Sequence, residues 1–142
     1  MTVVTAVSAL DTVSGGLAKQ FVGWLETGVR PDGMFADDIF VDLTVPQWRL
    51  QASGVNDAFA LRENSHPFQG QVRIESLDVT ARGFLIQFEE RWRADGQRWY
   101  CRELIHCVVR AERISELAIY CTGHWDEATQ QRHADLVPLQ RP

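Results

Sequence analysis

FEERWRADGQRWYCRE, residues 88 to 103, carries two glutamates on one arm and a third on the other of a segment centred on Asp95-Gly96, the residue types of a two-residue hairpin turn. With that turn in place, Trp92 faces Trp99, Glu90 faces Cys101, Phe88 faces Glu103 and Ile86 faces Ile105. Side chains alternate across a strand, so these residues share a face with Phe84, Cys107 and Val109, and that face is mostly apolar. The opposite face carries Gln87, Glu89, Arg91 and Arg93 against Leu104, Arg102, Tyr100 and Arg98, with a Glu89 to Arg102 cross-strand pair expected. Polar and basic, that face reads as the outer surface or a dimer contact. Glu90 and Glu103 are left among aromatic and aliphatic residues, an anomaly the pattern does not absorb.

Outward from this hairpin, strands are predicted at about 71–80, 84–93, 98–110 and 113–122, joined by short turns at ARG, ADGQ and RAER into a meander. Upstream, Val13, Leu17, Phe21, Trp24 and Leu25 recur at helical spacing before Gly28, which predicts an amphipathic helix over 12–28. RPDGMF suggests a turn and a short second helix with Pro31 in its first turn, closing one end of the core. IFVDLTVP, residues 39–46, is β-branched and ends at proline, so it is expected as a strand, followed by QWRLQASG as a loop. A third helix is expected over 56–64, with Val55, Phe59 and Leu61 turned to the core. Another is expected after Thr122, as a lid or surface helix. The sum is an α+β plan, helices gathered on one face of a bent antiparallel sheet.

The 142 residues suit one domain with a real core, 1–142, and are too few for two. A net charge of -5 with a single lysine, Lys19, argues against a nucleic-acid surface. The N-terminal MTVVTAVSALD has neither a basic start nor a sustained apolar run, so no signal peptide or membrane partner is expected and the expected location is cytoplasmic. Cys101, Cys107 and Cys121 are odd in number and lack CxxC spacing, which reads as buried free thiols. HExxH, Walker and GxGxxG patterns are missing, so neither a metal nor a cofactor is expected. Five tryptophans in so small a chain suggest an aromatic-lined cavity or simply large core residues.

The order of elements, with MFADDIFVD and ERISELAIYCTGHWDEA, resembles the nuclear transport factor 2-like superfamily, including the SnoaL-like polyketide cyclases, over about residues 10–127, leaving 124–142 as a lid or tail. The resemblance implies a cone-shaped, curved antiparallel sheet wrapped around a long N-terminal helix, with a pocket at the wide end. It also implies isomerase, epoxide hydrolase, cyclase, dehydratase or plain binding functions, among which fold alone does not choose. The tyrosine and two aspartates of ketosteroid isomerases fall on Phe21, Leu43 and Ile105, and the aspartate of the polyketide cyclases falls on Ile119. The arginine and aspartate of limonene epoxide hydrolases fall near Glu89 and Arg91, with the charge order reversed.

If the chain is an enzyme, its acid and base lie elsewhere, and Glu90 with Glu103 is the pair the residues nominate. Burial would raise both pKa values and mutual repulsion would raise one further, leaving one as acid and the other as base. The alternative is that one or both pair with a buried arginine and only hold the sheet together. Phe21, Leu43, Phe88, Trp92, Trp99, Ile105 and Ile119 are expected to shape the cavity, with Trp48, Arg49 and His66 at its mouth. Asp42 is expected to point away, His106 to lie on the outer face, and Tyr120 and His124 to cap or pack. Two functions remain open. One is a cofactor-free enzyme acting on a hydrophobic or aromatic small molecule by proton transfer, and the other is a non-catalytic ligand-binding or dimerisation domain. A homodimer through the outer sheet face is compatible with both.

Overall fold

The computed structural model describes the backbone of residues 2–142 and the side chains of residues 12–142. The chain runs α1 (Thr2–Thr27), β1 (Phe35–Val45), β2 (Trp48–Ser53), α2 (Val55–Glu63), β3 (Gln71–Val79), β4 (Gly83–Ala94), β5 (Gln97–Arg110), β6 (Arg113–Cys121) and α3 (Glu127–Leu136). The strands form one open, six-stranded sheet in the order β2-β1-β6-β5-β4-β3. The expected meander is present as β3 to β6. The sheet is mixed rather than wholly antiparallel, because β1 returns to lie parallel to β6.

Leu17, Ala18, Phe21, Trp24 and Leu25 are buried, the i, i+3, i+4 stripe of an amphipathic helix. That stripe lies on the face of the sheet presented by Phe84, Ile86 and Phe88. Phe21 meets Phe88 edge-on at 6.5 Å, and Trp24 meets Phe59 of α2 at 4.9 Å. Each large side chain buried there contributes roughly 1.5–3 kcal/mol, so this contact fixes α1 and α2 on one side of the sheet. Asp95 and Gly96 both have positive φ, 54° and 73°, the type I′ geometry that sets the β4–β5 register. That register pairs Trp92 with Trp99, Glu90 with Cys101 and Phe88 with Glu103, as the turn residues required.

Three expectations fail for local physical reasons. The second helix is absent. Residues 28–34 form a turn through Gly33 at φ 74°, and β1 then begins at Phe35, where Phe35 and Ala36 are buried in succession beside an irregularity in its pairing with β6. QWRLQASG is not a loop, since Trp48 pairs with Val45 across Pro46-Gln47 and residues 48–53 form β2. As an edge strand with almost every side chain exposed, β2 leaves no alternation to read. The third failure is the Glu89 to Arg102 pair. The two are opposite one another, yet Arg102 binds Glu75 at 2.7 Å and Glu89 binds Arg73 at 3.0 Å.

The β5–β6 hairpin turns through Ala111 and Glu112, at φ 50° and 62°, where L side chains are strained by about 1–2 kcal/mol each. Glu112→Gly should therefore raise the thermal midpoint. Gly83→Ala, whose new Cβ would stand 2.1 Å from the Cys107 carbonyl oxygen, should cost at least about 2 kcal/mol. Thermal denaturation of the two variants checks both signs.

Candidate functional site

Between α1, α2 and the apolar sheet face lies a cavity of about 420 Å³, within the ~300–1,000 Å³ range of small-molecule sites. Most of its wall is apolar, from Phe21, Trp24, Phe35, Leu43, Phe88, Ile105 and Ile119. Arg62, His66, Glu103, Cys121 and His124 supply polar groups on the same wall.

Glu103 is set inward by the β4–β5 register, opposite Phe88 and, across the other strand pair, opposite Cys121. Burial and the neighbouring charge of Glu90 push its carboxyl well above the ordinary range, so of the two acids Glu103 is the one that holds a proton more tightly. Burial acts on Glu90 in the same direction. Hydrogen bonds from Glu103 and Arg62, with the Arg62 charge, overcome it and hold Glu90 below the usual carboxylate range. The pair thus shares one proton, which Glu103 donates to ionised Glu90. Arg62 of α2 grips both Glu90 oxygens, at 3.0 and 2.8 Å, and donates a third bond to the Leu25 carbonyl at 2.8 Å. Its guanidinium stacks over Phe68 at 5.3 Å.

His66 completes the arrangement. Its Nδ1 lies 2.7 Å from the Pro67 carbonyl, a distance that requires the proton on Nδ1 and leaves a lone pair on Nε2. That Nε2 is buried without a hydrogen-bond partner, 3.7 Å from Glu90 Oε2. Burial, and then the Arg62 charge, push the imidazole down to about 4, so it is neutral at pH 7. Trp92 packs on His66 at 4.2 Å and on His124 at 4.9 Å, and Trp99 stacks parallel to Trp92 at 6.5 Å.

No protein-family model matches the chain, and no curated protein does. Solved structures do. An NTF2-like protein from Anabaena variabilis superposes with a TM-score of 0.67 at 16% identity, over 79% of this chain and 88% of that one. A Mycobacterium tuberculosis LEH-like epoxide hydrolase gives 0.60 at 16% identity, over 78% and 83%. A candidate SnoaL-like polyketide cyclase from Jannaschia sp. CCS1 gives 0.60 at 12% identity, over 90% and 94%. The chain has the nuclear transport factor 2-like fold. At such identities the likeness concerns fold, and the chemistry has to be argued from side chains.

On this nuclear transport factor 2-like frame the nominated residues separate into groups. Phe21, Leu43, Phe88, Ile105, Ile119, His66 and Glu103 line the cavity, and Trp48 stands at its rim, 68% exposed. Glu90 does not reach the cavity wall; it sits behind Glu103 and His66, held by Arg62. Arg49 leaves the mouth and binds Asp42 at 2.9 and 2.6 Å on the outside, the side expected for Asp42. Trp92 and Trp99 do not line the cavity either. They back the histidines and turn an edge to a separate surface groove beside Arg91, Arg93 and Arg98. Helix α3 is no lid: Glu127 and Gln130 bond to Arg98 on β5, and the cavity wall ends at His124.

Sequence reasoning missed Arg62, Cys121 and His124 as wall residues. The need for a cation beside two buried acids was the available signal for Arg62, although several arginines satisfied it equally. The fold also gathers potential metal ligands that no motif announced. A ring nitrogen of His66, a Glu90 oxygen and Cys101 Sγ lie within 4.8 Å of one another, although Arg62 occupies both Glu90 oxygens.

Arg62→Met should cost about 3–5 kcal/mol, because it strands a buried carboxylate. Adding Glu90→Gln should recover most of that loss in a double-mutant cycle by chemical denaturation. The pH dependence separates the other groups. Unfolded Glu103 ionises near 4.5 while the folded group keeps its proton. Stability from this group is therefore full below that pH and declines as pH rises towards the folded value, a slope that Glu103→Gln should remove. His66 works oppositely: its contribution is full above 6.5 and is lost as pH falls through about 4, where the buried ring must charge. His66→Asn should flatten that acid limb in thermal melts.

Proposed function

We propose that this chain is a cofactor-free enzyme that moves protons on a hydrophobic or aromatic small molecule, in an isomerisation, cyclisation, dehydration or epoxide opening. The observation that carries this reading is the Glu103 carboxyl on the wall of an otherwise apolar cavity, where burial and the neighbouring charge of Glu90 raise its pKa well above the ordinary carboxyl range. In water a carboxylic acid gives up its proton at neutral pH. Here it is available to a carbonyl or epoxide oxygen that enters the cavity, which is the task of a general acid.

His66 Nε2 is the matching acceptor on the same wall. It is neutral, and at about 4 its basicity is that of a carboxylate. A proton taken there has a short return path, across 3.7 Å to Glu90 and on to Glu103. Glu90 is then a positioning residue, set one step back from the substrate, which revises the base role expected of it. Apolar walls exclude water and strengthen each of these interactions.

A second reading is favoured by one observation: Phe21, Leu43 and Ile105, on which the ketosteroid isomerase pattern falls, all line the cavity as apolar groups. On that reading the cavity binds an apolar ligand without turning it over.

Proton exchange distinguishes the two. Cyclic enones and aryl ketones incubated with the protein in D2O should take up carbon-bound deuterium, followed by mass spectrometry. Glu103→Gln should slow uptake by about 10²-fold or more, and His66→Asn should slow it as well. Full exchange in Glu103→Gln would overturn the acid role. Ligand binding with no exchange in the wild type would favour the binding reading.

A further inference from the structure

Among the polar groups of the cavity wall is a thiol that the acid-base reading does not use. Cys121 ends β6 directly opposite Glu103, so the two side chains leave neighbouring strands on the same face. It is half-buried and lines the cavity, whereas Cys101 and Cys107 are buried. Its sulfur accepts the Gly123 backbone N–H at 3.4 Å. Gly123 has φ 79°, which curls the chain back over the end of the strand and aims that N–H at the sulfur. The Cys101 thiol beside it, and then the Gly123 N–H, draw the Cys121 thiol below its ordinary pKa against the effect of burial.

A second, independent observation marks the same wall as incomplete. His66 of that wall, with its side chain only 9% exposed, has no hydrogen-bond partner at Nε2, whose charged neighbour is Glu90 Oε2 at 3.7 Å. A buried acceptor left unpaired costs roughly 1–3 kcal/mol, which a ligand carrying or acquiring a donor would recover. Nucleophile, proton donor and empty acceptor thus share one end of an apolar chamber. A compound that uses all three has an apolar body, an electrophilic carbon and an oxygen that gains a proton as that carbon is attacked.

We propose that the cavity captures conjugated carbonyl compounds, apolar or aryl enones, as covalent thioethers at Cys121. This rests on the reading of Glu103 as the acid of the cavity. The Cys121 sulfur forms a bond to the β-carbon. The π pair moves to the carbonyl oxygen, and Glu103 delivers its proton there to give an enol, whose hydroxyl has His66 Nε2 as an acceptor. The carboxyl pair regains its proton from the thiol, and the enol proton then moves to the α-carbon. The net change is addition of S–H across the C=C bond, with no other reactant.

The test uses the full chain with 4-phenyl-3-buten-2-one as the enone and iodoacetamide as an alkylating agent that needs no proton. Adducts are counted by intact mass and located by peptide mapping. The expected result is one enone adduct in the native wild type, mapped to Cys121, abolished in Cys121→Ser and retained in Cys107→Ser. Glu103→Gln should slow the enone at least about tenfold while leaving alkylation of Cys121 nearly unchanged. An adduct mapped to Cys101 or Cys107, or no adduct in native protein whose guanidinium-unfolded form reacts, overturns the capture site. Because the adduct is mapped on the wild type, that outcome does not depend on how well Cys121→Ser folds. Capture at Cys121 at an equal rate in Glu103→Gln supports the thiol site and overturns the acid role of Glu103.

Discussion

Two carboxyl groups facing one another on an apolar sheet face repel when both are charged, and burial makes each charge costlier than in water. The fold meets this constraint by letting Glu103 keep its proton and by bringing Arg62 from α2 onto Glu90. Much else follows from that clamp. It ties the start of the Ser65–Gly70 segment to the sheet, holds His66 over Trp92, and stacks Arg62 against Phe68 below α1. One ion pair with a shared proton therefore anchors a helix, a loop and two strands at the polar end of the cavity.

The same arrangement explains why the cavity is chemically uneven. A charge on Glu90 that is balanced on the spot leaves little field to spread along the wall, so the remainder can be Phe, Leu and Ile without cost. The polar groups that do face inward differ in what they can do. Glu103 offers a proton, His66 a lone pair and Cys121 a sulfur nucleophile, and each is set by its own backbone partner or strand register. Buried polar groups are expensive unless satisfied, and His66 Nε2 shares its lack of a partner with Trp24 Nε1 and Arg62 Nε.

The strand elements with a clean alternation were legible. Phe84, Ile86, Phe88 and Trp92 on β4, and Cys101, Ile105 and Cys107 on β5, repeat at period 2, and Asp95-Gly96 leaves a single register. The helical stripe from Leu17 to Leu25 was equally clear. β1 and β2 were harder. Burial of Phe35 and Ala36 in succession breaks the period at an irregular pairing, and β2 is exposed along nearly its whole length. Neither feature writes a period into the residues.

By itself, then, the sequence determined which side chains leave the sheet on the same face, because strand geometry and a two-residue turn admit one solution, and that placed Glu90 and Glu103 inside together. Tertiary structure decided their roles. Arg62 stands 28 residues from Glu90, with His66 one turn of chain beyond it, and Cys121 and His124 come from the far end of β6. Which arginine reaches a buried acid, and which acid faces the cavity rather than the clamp, depend on how α2 and the end of β6 fold back over the sheet. No local pattern encodes those distances.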